Sequence, residues 1–107
     1  MTNMQSQIEY YMRTRNLPGL FELTLSSETE VRAQAYEALG HFKGETSVIS
    51  CLLSGIYDPD PQAKLAAIHA IANVGTAGIY ERVRSRMRHE SDTETRKALQ
   101  TALDSLK

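Results

Sequence analysis

Apolar and small residues recur along the chain in one order, at a fixed spacing of 32 residues. An alanine followed by a large aliphatic residue marks this spacing at Ala38–Leu39, Ala70–Ile71 and Ala102–Leu103. Around the first of these pairs the apolar positions follow the i, i+4, i+7, i+8 spacing of one buried helical stripe. Three tandem copies of such a helix predict a stack of helical repeats.

Shorter apolar stripes predict the remaining helices, about seven in total with short connecting turns. The partner stripes are Leu17, Leu20 and Phe21, with Leu25 as a further candidate; Ile49, Leu52, Leu53 and Ile56; and Ile79, Val83 and Met87. A pattern at Ile8, Tyr11 and Met12 predicts an N-terminal helix. We expect this helix to cover the open end of the stack, because terminal repeats need a cap.

Residues with capping propensity mark the ends of the repeated helix. Ser27–Glu30 and Ser91–Glu94 fit a capping box, in which a hydroxyl and a carboxylate satisfy free amides at a helix start. Asp58–Pro61 supplies acidic caps and a proline suited to a first helical turn. Gly40 and Gly75 are expected to end the first two copies in a left-handed conformation.

The stretches Ser27–Gly40 and Asp58–Gly75 resemble HEAT repeats of the short kind found in bilin-lyase-type proteins. Each has an acidic turn, then a branched or small residue beside Arg or Lys, then spaced alanines. The resemblance covers residues 17–107 and implies an all-α, right-handed α–α superhelix of about three helix pairs with an N-terminal capping helix. It implies a single domain over residues 1–107, divided into a cap (1–16) and three repeats (17–43, 44–75 and 76–107). It also implies that the helix carrying the Val-Arg pattern lines the concave face.

Three positions of each repeated helix point away from the predicted core and are expected to line a groove. They are Ala33, Tyr36 and Glu37; Leu65, Ile68 and His69; and Lys97, Gln100 and Thr101. Leu65 and Ile68 suggest an apolar contact patch, and Tyr36 adds an amphipathic anchor. The alternative, given equal weight, is that a short and tightly curved stack packs these side chains against neighbouring helices. The predicted partner-binding set is Tyr36, Glu37, Leu65, Ile68, His69 and Gln100.

Two sets of basic residues are candidates for binding anions. Arg32, Lys64 and Arg96 each follow an acidic residue by four positions, which places opposite charges on one helix face. A structural ladder between repeats is the favoured interpretation over phosphate or carboxylate binding. The second set is Arg82, Arg84, Arg86 and Arg88, followed by His89. A solvated face is favoured for this set, with nucleic acid, an anionic ligand or an acidic protein patch as the alternative.

Composition and charge limit the classes of function. A net charge of −1 over 107 residues gives no global attraction to nucleic acid. The single Cys51 excludes an internal disulfide, and no apolar run reaches the length of a membrane span. The chain is therefore predicted to be cytoplasmic, as a monomer or homodimer that binds another protein and no membrane, with nucleic acid less favoured.

Catalysis has little support in the sequence. The histidines stand singly, no pair of cysteines or histidines has the spacing of metal ligands, and no glycine-rich phosphate loop is present. We therefore predict a non-catalytic interaction or scaffolding module without a cofactor or metal. The resemblance leaves a bilin-lyase-like accessory activity as an alternative, although no residue motif carries it.

Overall fold

The computed structural model describes residues 4–106 and contains seven α-helices, a short 3-10 turn at Ala77–Ile79 and no strand among those residues. The helices are α1 (Met4–Arg13), α2 (Leu17–Leu23), α3 (Thr29–Leu39), α4 (Thr46–Gly55), α5 (Pro61–Val74), α6 (Tyr80–Arg88) and α7 (Thr93–Ser105). This confirms the predicted all-α solenoid of helix pairs, with an additional helix at the N-terminal end.

The helices form two layers. The inner layer is the row α3, α5 and α7, in which each helix packs directly on the next, and α2, α4 and α6 form the outer layer. Helix α1 packs against α2 and α3, as expected of a helix that covers the first repeat. The marker residues Leu39, Ile71 and Leu103 are at most 2% exposed. Burying each such side chain stabilises the fold by about 1.5–3 kcal/mol.

Small residues allow the inner helices to approach closely. A Cβ added to Gly40 would lie 3.0 Å from Ala70 Cα, and one added to Gly75 would lie 2.5 Å from a methyl of Leu106. Neither glycine is left-handed, since their φ angles are −64° and −69°. The prediction of left-handed caps was therefore wrong: these glycines end their helices where a neighbouring chain segment leaves no room for a side chain.

The helix starts also differ from the predicted capping boxes. Helix α3 has Glu28 as its N-cap residue instead of Ser27, and α7 has Asp92 instead of Ser91. Asp92 caps α7 by accepting hydrogen bonds from the Thr95 amide and hydroxyl at 2.9 and 2.8 Å. Pro61 opens α5 as predicted.

Leu25 does not join the core stripe of α2. It lies in the turn after that helix and is 83% exposed. No helix within residues 4–106 has the length and apolar character that crossing a membrane requires.

Candidate functional site

Two of the three positions predicted to line a groove on each inner helix instead lie where consecutive repeats pack together. Tyr36 on α3 and Ile68 on α5 are 6% and 0% exposed, and Leu65 is half-buried. The first two positions are exposed only in the last copy, at Lys97 and Gln100 on α7, whereas the third position is exposed in every copy, at Glu37, His69 and Thr101. The prediction that Tyr36 and Ile68 are available to a partner was therefore wrong.

The reason is that α3 contacts both helices of the next repeat, α4 and α5, as well as its own outer-layer partner α2. Tyr36 packs at Gly55 of α4, where an added Cβ would lie 2.7 Å from the tyrosine ring. Burial raises the pKa of Tyr36, and the neighbouring Asp58 carboxylate raises it further. Ile68 takes the same position one repeat later, and Gln100 takes it on α7, where no described helix follows.

One stripe per inner helix does remain accessible, at the spacing i, i+4, i+7, i+11. We term this surface the open face. Its residues are Glu30, Gln34, Glu37 and His41; Gln62, Ala66, His69 and Asn73; and Glu94, Ala98, Thr101 and Ser105. Of the predicted partner-binding set, Glu37 and His69 lie on this face. The polar residues at this spacing were the sequence signal that could have located it.

The open face carries carboxylates and no lysine or arginine. Glu30, Glu37 and Glu94 are exposed and form no ion pair with any residue that the structure describes. Glu37 and His41 border two clefts, one of about 330 Å³ towards α1 and one of about 410 Å³ towards α5. Ala66 lines the second cleft, and its small side chain occupies little of the space there. The arrangement therefore offers unpaired negative charge beside concave surface.

The repeated basic residues form a ladder between repeats, as the structural interpretation predicted. Arg32 donates from Nε and Nη2 to the two carboxylate oxygens of Asp58, at 2.9 and 3.0 Å. Lys64 Nζ lies 3.3 Å from Glu90 Oε1. Each acid stands 26 residues after its base, in the turn of the next helix pair. The acids four residues before the bases are not the partners, so that part of the prediction was wrong.

The third basic residue of the pattern has a different role. Arg96 donates to two backbone carbonyls, those of Met87 and Glu90, both at 2.9 Å. It forms no ion pair with a described residue, because the described chain has no turn after α7 to supply the acid.

Arg86 in the arginine-rich helix α6 is an internal residue, only 8% exposed. Its Nε donates to the Ile56 carbonyl at 3.0 Å, and its Nη2 donates to Glu90 Oε1 at 2.7 Å. Glu90 Oε2 accepts in turn from the Asp92 amide at 3.0 Å. Arg86 thus joins α4, α6 and the turn before α7. The favoured prediction of a solvated face was therefore wrong for Arg86, and so was the alternative that it is available to an anion.

The other three arginines of α6 remain on the surface. Arg84 and Arg88 lie 3.2 and 4.0 Å from the two carboxylate oxygens of Glu81. Arg82 is exposed and forms no ion pair with a described residue. Of the predicted anion-binding set, Arg82 therefore offers the unpaired charge.

Glu90 makes the stability of the fold sensitive to acid. The Asp92 amide, the Arg86 guanidinium and the Lys64 ammonium together lower the pKa of Glu90 from 4.5 to about 2. Because the folded pKa is below the unfolded one, this carboxylate stabilises the fold above pH 4.5, and the contribution is lost as the pH falls towards 2. We expect Glu90→Gln to lose about 2 kcal/mol at pH 7 in urea unfolding, and expect that difference to shrink across this range.

Glu94→Gln is the control for this experiment. Its side chain is exposed and forms no ion pair with a described residue, so the substitution should change the free energy of unfolding by less than about 0.5 kcal/mol. A Glu90→Gln difference that stays constant from neutral pH to the acid end of the range would contradict this account.

The remaining reactive residue types are placed as structural groups. Cys51 is half-buried, its Sγ lies 3.8 Å from Thr24 Oγ1, and burial raises the pKa of its thiol. A raised pKa disfavours the nucleophilic thiolate. Within residues 4–106, no group of three His, Cys, Asp or Glu side chains is arranged to hold a metal ion.

Comparison with known proteins agrees with this architecture. A family model described as HEAT repeats matches residues 17–104, which include α2 to α6 and nearly all of α7. No curated protein matches the sequence at a significant level.

Proposed function

Because the chain belongs to the HEAT-repeat family, we propose that it is a non-catalytic module that binds a partner protein on the open face. HEAT repeats generally mediate protein–protein interactions and are typically non-catalytic. The helices that carry the open face are those that the resemblance assigns to the concave side. The observation that carries the proposal is the alignment of three accessible stripes, of which those on α3 and α5 border two clefts.

The charges of the open face favour a partner segment rich in lysine or arginine. The three glutamates, Glu30, Glu37 and Glu94, have no internal counter-ions among the described residues. Complementary charge steers encounter and selects against acidic partners, which would meet repulsion.

Small residues complement this charge pattern. Ala66 and Ala98 lie at the centre of the second and third stripes and are partly exposed. They allow the backbone of a bound helix or extended segment to approach the inner layer. His69 and Asn73 beside them supply hydrogen-bonding groups that fix its orientation.

The proposal is tested by reversing charge on the open face. We expect the double variant Glu30→Lys, Glu37→Lys to lose at least about tenfold in affinity for partners captured by the wild-type chain, because like charges then face each other. The measurement is quantitative affinity capture from the source cell extract, followed by titration of each captured protein.

Glu22→Lys is the matched control, because Glu22 is an exposed glutamate on the outer helix α2. This variant should retain the partners. If the double variant keeps its helical content and still captures every partner with wild-type affinity, the open face is not the binding surface.

A further inference from the structure

A third cleft, of about 640 Å³, lies in the outer layer between α4 and α6. Volumes of this size are typical of sites that hold a small ligand or a short peptide. Leu53 gives the cleft an apolar wall, and the hydroxyls of Ser50, Ser54 and Ser85 line it. No residue of the open face borders this cleft, so it is a separate surface.

An exposed aromatic ring stands at the edge of this cleft. Tyr57 is 62% exposed and is one of three exposed large hydrophobic side chains among residues 4–106. The Arg86 guanidinium lies 5.3 Å from the centre of its ring. Arg86 is itself held by Ile56 and Glu90, so the ring rests on a fixed charged support. An aromatic side chain that is already ordered loses little entropy when it binds, and tyrosine is enriched at binding hot spots.

The uncompensated charge at the cleft is positive. Arg82 and Glu81 both line it. Glu81 lies 3.2 Å from Arg84 and 4.0 Å from Arg88, whereas Arg82 has no ion-pair partner among residues 4–106. The carboxylate of Glu81 is therefore compensated by neighbouring guanidinium groups, and the guanidinium of Arg82 is left without a counter-charge. An acidic ligand is favoured at this place, because a basic one would meet uncompensated like charge.

We propose that this outer cleft binds an acidic peptide segment of another protein. An apolar side chain of that segment packs on Tyr57 and Leu53, a carboxylate pairs with Arg82, and the serine hydroxyls meet its backbone. Nucleic acid fits less well, because a phosphate backbone is held by several unpaired cations in a row, whereas Arg82 is the one α6 arginine here without an ion pair to a described residue. This proposal does not depend on what binds the open face.

The test is a titration of the ¹⁵N-labelled chain with two six-residue peptides. One carries two glutamates flanking a phenylalanine, and the other has glutamines in place of the glutamates. We expect the glutamate peptide to shift the amide signals of Ser54, Tyr57 and Ser85, more weakly at high salt. Its affinity should fall at least about fivefold in Tyr57→Ala and in Arg82→Glu.

Leu25→Ala is the matched control. Leu25 occupies the position of Tyr57 one repeat earlier and is 83% exposed, so its removal should leave the affinity unchanged. Arg82→Glu tests the cleft without altering the position of Tyr57, because Arg82 takes no part in the contacts of Arg86 with Tyr57, Ile56 and Glu90.

Three outcomes would overturn the proposal. The first is equal binding of the glutamine peptide, and the second is the absence of any shift at millimolar peptide. The third is tighter binding of a single-stranded thymidine oligonucleotide to the same amides, which would assign the cleft to nucleic acid.

Discussion

Replacing Ile68 with aspartate is expected to unfold the chain or to lower its free energy of unfolding by more than about 4 kcal/mol. Ile68 is completely buried on α5, in the row that contacts the next repeat. A carboxylate at this position would lose its hydration, and the substitution adds no cation to compensate its charge. Urea unfolding followed by circular dichroism measures the effect.

His69→Asp is the control, because His69 is the adjacent residue and is exposed on the open face. We expect it to change the free energy of unfolding by no more than about 0.5 kcal/mol. If Ile68→Asp instead folds with the wild-type midpoint, the row that contains Ile68 is a free surface and the assignment of the repeat contact is wrong.

Arg86→Ala is expected to have the second largest effect, a loss of about 3 kcal/mol. The substitution removes the hydrogen bond to the Ile56 carbonyl and one of the two cations that lie beside Glu90. A buried acceptor and a largely buried carboxylate are then left short of partners. The free energy of unfolding should be measured for Arg86→Ala, Glu90→Gln and the double variant, since their coupling reports the direct interaction.

Arg84→Ala provides the comparison on the same helix. Its ion pair with Glu81 is exposed, and exposed pairs contribute about 0–1 kcal/mol. If Arg84→Ala and Arg86→Ala lower the free energy of unfolding equally, the hydrogen bonds of Arg86 to Ile56 and Glu90 do not stabilise the fold more than an exposed ion pair does.

The repeat period and the helices could be predicted from the sequence because they depend on local spacing. The pair Ala38–Leu39 and its two later copies fixed the unit, and all three aliphatic members proved buried. The orientation of the Tyr36 row could not be read from a helical wheel. A wheel shows the stripe that faces one partner helix, whereas α3 and α5 are also covered by the next inner helix.

The sequence did contain a signal for that orientation. The row is Ala33 and Tyr36, then Leu65 and Ile68, then Lys97 and Gln100. Its members become polar only in the last copy, where no described helix follows. A row that faces solvent in every repeat has no reason to change in this way, whereas a row buried between repeats must change at the end of the stack.

The burial of Arg86 was hidden by a shift in register. Leu52 of α4 corresponds in burial to Val83 of α6, a separation of 31 residues instead of 32. Gly55 and Arg86 are also 31 residues apart and are both buried. Where α4 has room for the Tyr36 ring, α6 therefore places a long side chain that reaches Ile56 and Glu90.

The two turn carboxylates, Asp58 and Glu90, each perform two tasks at once. Each accepts the amide two residues later, which shapes the start of α5 or α7, and each also accepts a base from the preceding repeat. Initiation of an inner helix and its docking to the previous repeat therefore draw on the same side chain. Loss of either carboxylate therefore removes both contacts together, so one side chain couples the start of an inner helix to the repeat before it.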